Sequence, residues 1–291
     1  MSAFDRAQGS EVSRTTGSGV RRAAPIPGTT SAADAVLALQ RSVGNRAVGA
    51  TLARRVEMRD VGRGEQSGYA RLPELIHRLN QLSPHLGFYM EGQQLTYVKS
   101  PTSEAAPTSF ESQMMALIDQ DPVLPMRLTN RQGLLGDRTH GFHTDVDGDA
   151  FTSGYVDIDD LLAGDDLGFQ MLLVHFLTER AATRRYAQRL GTRYSDVEFE
   201  HGHALGIEAE AKILREYFSD ATIHIVQDSP SVMIRRLFQN SAGVSFRRRI
   251  TIGTGERRGI NASSVDVVTS DGTVYTPADY LAMLDFQAEH P

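Results

Sequence analysis

The 291-residue chain contains no cysteine and no tryptophan. Without cysteine there is no disulfide, no thiolate nucleophile and no Cys-ligated zinc, so any bound metal must be held by His, Asp or Glu. A surplus of basic charge is missing too: 30 Lys and Arg stand against 36 Asp and Glu, for a formal net charge of -6. Specific nucleic-acid binding is therefore not expected, because gripping phosphates calls for an excess of cations. Lysine is confined to Lys99 and Lys212, which leaves arginine to carry the positive charge. No run approaches the ~18 to 20 apolar residues of a membrane span, and the first residues hold no signal-peptide core. The expectation is a soluble protein made in the cytoplasm without a signal peptide.

Residues 1–30 are rich in Ser, Thr, Gly, Ala and Arg and show no apolar period, which predicts a disordered leader. Ser31 is placed to cap a short helix with Val36, Leu39 and Val43 on one face, and a second short helix carries Val48 and Leu52. Residues 55–67 read as a charged, glycine-bearing linker. The rest, 68–291, reads as one α+β domain with buried central helices and a C-terminal antiparallel sheet. Helices are predicted near 72–82, 110–118 and 169–182, and from Ser195 through the stretch ending at Phe218. Hairpin strands flank Glu91-Gly92-Gln93-Gln94, and further strands are expected at 155–158, 222–227, 231–238, 244–252 and 265–268. Asp166 is placed to cap the helix that carries Met171-Leu172-Leu173-Val174-His175-Phe176-Leu177, apolar almost all round and therefore central.

His175 and Glu179 sit at i and i+4, on one face of that helix. The next long helix brings His201, His203, Glu208 and Glu210. Two ligands one turn apart plus a third from a neighbouring helix is a layout that aims side chains at one ion. His175, Glu179 and Glu208, with His201 or His203 completing the shell, form the candidate metal set, and zinc is the cofactor it would take. The same residues also suit a buried hydrogen-bond network or a metal-free acid and base pair. Asp145, Asp147 and Asp149 alternate as in a calcium loop, but Ala150 stands where the turn glycine would be and Val156 where the bidentate glutamate would be. Arg235, Arg236, Arg247, Arg248 and Arg249 cluster on the predicted C-terminal strands, either as a solvated face or as a surface for an anionic partner.

The segment from Ala38 to Gly49, with Leu39-Gln40-Arg41-Ser42-Val43-Gly44-Asn45-Arg46-Ala47-Val48 at its heart, resembles the leader of bacterial proteins associated with extracellular contractile injection systems. The later stretch, from Val156 through His175 and Glu179 to Ala211, is similar to actinobacterial proteins that carry this leader. The resemblance implies a cargo effector or toxin-like protein that docks on the apparatus through residues 31–54 and is exported with it. His175-Phe176-Leu177-Thr178-Glu179 also resembles a zincin metallopeptidase helix in degenerate form, with Phe176 in place of the general base and Glu179 in place of the second histidine. The resemblance thus leaves three readings: a zincin relative without catalysis, a different metal-dependent hydrolase, or a domain without metal. A non-enzymatic adaptor of the injection apparatus is the alternative function.

Overall fold

A computed structural model describes residues 56–60, 68–100, 104–120, 123–129, 149–229, 231, 233–252 and 261–290. The predicted leader, the short helical segment, His140, His143, Asp145 and Asp147 lie outside the described residues, as does the side chain of Asp149. Among the described residues the chain forms two sheets with helices between and around them. The first sheet runs in the order β2-β3-β1-β4-β6-β5, where β1 is Val56–Asp60, β2 Leu86–Glu91, β3 Gln94–Lys99, β4 Leu124–Thr129, β5 Asp149–Ala150 and β6 Tyr155–Asp157. β1 and β4 are parallel, as are β4 and β6, and the other pairs are antiparallel. The second sheet is antiparallel throughout, in the order β11-β10-β9-β8-β7, with β7 His224–Asp228, β8 Ile234–Gln239, β9 Ser245–Ile252, β10 Asn261–Val268 and β11 Val274–Tyr275. The α+β class and the antiparallel C-terminal sheet agree with the sequence reading.

One departure concerns β1. It falls inside the stretch 55–67 read as a linker, yet it occupies an interior lane of the first sheet, with Val56 and Met58 buried. Its inward residues are only two, and Glu57, Arg59 and Asp60 between and after them give the segment the composition of a tether. β4 is also absent from the sequence reading, as are the two-residue strands β5 and β11. The burial of β4 on both faces removes the alternation that marks a half-exposed strand.

The helices are α1 Leu72–Gln81, α2 Ser109–Asp119, α3 Ile158–Ala163, α4 Asp166–Ala182, α5 Asp196–Tyr217 and α6 Pro277–Glu289. α4 is the centre of the fold: it packs on α2, α3 and α5 and touches β4 of one sheet and β10 of the other. That position needs an apolar surface on every side, and twelve of its seventeen residues are buried. Its cap is Asp165 rather than Asp166. The Asp165 carboxylate accepts from the Gly168 amide at 2.6 Å and from the Val265 amide at 3.0 Å, so a single side chain closes the helix end and ties it to β10.

α5 meets α4 through a column of Gly202, Gly206 and Glu210, spaced four residues apart and all buried. Glycine is required here by close approach. A Cβ on Gly206 would sit 2.8 Å from the His175 ring, and one on Gly202 would sit 2.9 Å from the Glu179 carbonyl oxygen. The other side of α5 lies on the second sheet, whose inward face is divided. Phe238, Phe246, Val265 and Val267 are apolar and meet Leu214 and Phe218, while Arg236, Arg248 and Ser263 are polar and lie toward Glu210. The pairing of Arg236 with Arg248 across β8 and β9 puts both guanidinium groups in the same row.

Candidate metal centre

His175 and Glu179 extend from α4, His203 and Glu210 from α5, Arg236 from β8 and Arg248 from β9, and Asp228 closes the set at the end of β7. His175, Glu179, Glu210, Arg236 and Arg248 are buried, an unusual density of ionisable groups in one interior. Among the described residues of the centre, His203 and Asp228 are the ones partly open to solvent, and the exposed Phe199 ring stacks on His203 at 5.4 Å.

The contacts sort into an inner trio and an outer ring. Each histidine places one ring nitrogen near Glu179: His175 Nε2 is 3.5 Å from Oε2 and His203 Nδ1 is 3.5 Å from Oε1. The other nitrogen of each ring meets a different carboxylate. His175 Nδ1 lies 3.0 Å from Glu210 Oε1, and His203 Nε2 lies 3.0 Å from Asp228 Oδ2. The outer carboxylates are themselves held by arginine, with Arg248 Nη1 donating to Glu210 at 2.9 Å and Arg236 Nε 3.1 Å from Asp228. Arg248 Nε also donates to the Ser263 hydroxyl at 3.3 Å. Arg236 Nη2 comes within 3.3 Å of His175 Nε2 and 3.4 Å of His203 Nε2.

This arrangement brings together three of the five residues of the predicted metal set. His175, Glu179 and His203 each offer a ligand atom, all within 4.8 Å of one another. His201 and Glu208 stand elsewhere: His201 is exposed, and Glu208 accepts from Arg215 at 2.6 Å on the outer face of α5. The physical reason is helical phase. Seven residues from His203 to Glu210 rotate the chain to within about 20° of the starting face, whereas five residues to Glu208 leave it roughly 140° away. Glu210 is thus the carboxylate that α5 supplies, as an outer partner of His175.

The five arginines of the C-terminal strands do not share one surface. The pleat sends Arg236 and Arg248 inward, where they are buried, and leaves Arg235, Arg247 and Arg249 on the other side of the sheet. Arg249 pairs there with Asp266 at 2.7 Å. The expected basic face for an anionic partner is accordingly split in two, with its buried members committed to the centre.

The residues present fit a divalent ion on chemical grounds. Oxygen and nitrogen donors in a two-histidine, one-carboxylate set suit zinc or a related metal. Glu179 Oε1 and His203 Nδ1 are buried and face each other without forming a hydrogen bond. Metal-ligating histidines ordinarily give their second nitrogen to a carboxylate that fixes tautomer and orientation, the relation that Glu210 and Asp228 bear to the two rings.

Electrostatics distinguish the metal-free state. The Asp228 hydrogen bond, followed by Glu179, lifts the His203 pKa to about 9. Burial is the largest influence on His175 and opposes its charge, but Glu210 and Glu179 together outweigh burial and Arg236 and leave that pKa above its usual value. Burial would likewise raise Glu179 and Glu210, yet both end at about 2, Glu179 through the two histidines and Glu210 through Arg248, Arg236 and His175. A histidine with a raised pKa stabilises the fold fully below its unfolded value of 6.5, and that contribution disappears as pH climbs through about 9. A carboxylate with a lowered pKa stabilises above 4.5 and loses this as pH falls through about 2. Urea midpoints measured in the presence of a chelator should therefore be highest between pH 4.5 and 6.5 and decline toward 9, with the alkaline decline reduced in His203→Gln.

Helical phase was the signal for Glu210, since it continues the Gly202 and Gly206 column and returns to the His203 face. No comparable local signal marks Asp228, Arg236 or Arg248, whose roles depend on how β7, β8 and β9 pair. No family model, curated protein or solved structure matches the chain.

Proposed function

We propose that the chain is a cargo effector of an extracellular contractile injection system whose chemistry resides in a divalent-metal centre formed by His175, Glu179 and His203. The observation that carries the metal reading is the paired second shell: both histidines turn one nitrogen to Glu179 and rest the other on a separate carboxylate. A core network needs every polar atom satisfied internally, whereas this one leaves Glu179 Oε1, Glu210 Oε2 and the Nδ1 of both histidines without a hydrogen-bond partner. When bound, the ion would polarise a substrate oxygen and make water acidic, the chemistry of a hydrolase. Glu210 and Asp228 would hold the imidazole tautomers, and Phe199 would shield the solvent side of His203. The effector assignment rests on the likeness of the Ala38–Gly49 segment to injection-system leaders.

Two measurements test the two halves. Zinc titrated calorimetrically into the full chain should bind at a 1:1 ratio and release protons to the buffer, because coordination needs both imidazoles neutral. His175→Ala and Glu179→Ala should each lose at least 10-fold in affinity, as removal of a ligand must exceed the roughly 10- to 100-fold cost of losing an outer-shell partner. Glu208→Ala should leave affinity unchanged. Equal zinc affinity in all four proteins would sink the metal reading. A chain lacking residues 1–54 should fail to enter injection particles while keeping zinc affinity, and normal loading of that chain would reject the effector assignment.

A further inference from the structure

The cation nearest the inner trio is Arg236, and its position is odd for a metal site. Its Nη2 lies 3.3 Å from His175 Nε2, the nitrogen that faces Glu179. A neutral His175 with its proton on Nδ1, the nitrogen 3.0 Å from Glu210, has its Nε2 lone pair free, and Arg236 is the donor placed to take it. The guanidinium therefore competes with an ion for the same lone pair and repels it by charge. Arg236 is held by Asp228 at 3.1 Å and, more loosely, by Glu210 at 4.0 Å, and its side chain is only 3% exposed.

Charge counting shows what would relieve the conflict. With both imidazoles neutral, Glu179, Glu210 and Asp228 contribute three negative charges and Arg236 and Arg248 two positive, so the centre is left at minus one. A divalent ion brings the total to plus one. An isolated surplus charge in a buried site is costly, and a single negative charge next to Arg236 cancels it. Arginine is also the side chain best shaped to share two donors with a carboxylate or phosphate group.

Building on the metal reading, we infer that Arg236 is the anion-recognition residue of the centre, and that the ligand it takes is a monoanionic oxygen group, a phosphodiester or a carboxylate, bound cooperatively with the ion. The anion draws the guanidinium off His175 Nε2 and balances the charge of the loaded site. A phosphomonoester dianion is disfavoured, because its second charge would face Asp228 and Glu210 and carry the loaded site from neutral to a net negative charge. Metal and anion then strengthen each other by the same factor, since linkage between two binding equilibria is reciprocal.

The test is zinc affinity of the full-length protein, measured calorimetrically at constant ionic strength in chloride alone, with added sodium dimethyl phosphate, or with added sodium acetate. Neither anion sequesters zinc strongly, which keeps the comparison about the protein. One of the two anions should tighten zinc binding by about tenfold, within the usual span of coupling between sites. Enhancement by dimethyl phosphate assigns a phosphodiester ligand, and enhancement by acetate assigns a carboxylate. In Arg236→Gln the anion effect should vanish while zinc still binds. Arg236→Lys, which keeps the charge and loses the fork, should retain part of it and serves as the control if Arg236→Gln does not fold. Zinc binding that neither anion changes by more than about twofold would overturn the role given to Arg236 and leave the metal reading standing. Absence of zinc binding under all three conditions would overturn both.

Discussion

Glu210→Ala is expected to destabilise the protein by about 3–5 kcal/mol, the cost of stripping one partner from a buried charge network. Glu210 is fully buried, and its carboxylate meets Arg248 at 2.9 Å, His175 at 3.0 Å and Arg236 at 4.0 Å. Removing it takes the shared carboxylate from two guanidinium groups that cannot deprotonate and from a histidine that can. The His175 pKa would fall with the loss of the Glu210 charge that helps raise it, and the arginines would draw in water or force the sheet from α5. Glu210→Gln, which keeps the volume and some hydrogen bonding, should lie between the parent and Glu210→Ala. Urea denaturation of the three proteins measures this directly. Near-equal stability would mean that the arginines reach other counter-charges, and that Glu210 is not the hub of the centre. Pairing Glu210→Ala with Arg248→Met should recover part of the loss, because it removes a stranded cation and fills its space with an apolar chain.

Gly206→Ala should be nearly as damaging for a steric reason, by about 1–3 kcal/mol, as is typical when a packed interior must absorb an extra methyl. The new Cβ would lie 2.8 Å from His175 Nδ1, 2.9 Å from Cε1 and 3.0 Å from the His175 carbonyl oxygen. A flexible side chain could swing aside, but this ring is clasped between Glu210 and Glu179 and the third contact is backbone. α5 must therefore retreat from α4 or the ring must leave Glu210. Calorimetry on Gly206→Ala should show a lower melting temperature. The imidazole resonances of His175, followed by NMR across pH, should shift as its contact with Glu210 lengthens. A stability and a His175 titration equal to the parent's would show that the helices have more room than their separation indicates.

The legible parts of this fold were those whose signals are local. The apolar circumference of α4 announced a central helix, and the i and i+4 spacing of His175 and Glu179 announced a shared face. Glycine at 202 and 206 read as a weakness in α5 when taken as helix propensity alone. In three dimensions these positions are what lets α5 come close enough for His203 and Glu210 to reach the partners on α4. Propensity describes one helix, and the reason for these glycines belongs to a pair of helices. The two glutamates are told apart by helical phase, which returns Glu210 to the His203 face and turns Glu208 outward to Arg215. The arginines were hardest to place. Alternation along β8 and β9 says that neighbours face opposite ways, but which set turns inward depends on the register against β10 and on α5 above it.

The interior position of β1 sets a boundary for any handling of the arm. Val56–Asp60 bridges β3 on one side and β4 on the other, so it joins the hairpin of β2 and β3 to the rest of the first sheet. Proteolytic release of the N-terminal segment before residue 56 would spare the sheet. Excision that takes β1 as well would open two facing strand edges at once, and bare edges recruit other chains. A chain cut too far would then fail by aggregation, with α4 and α5 still intact.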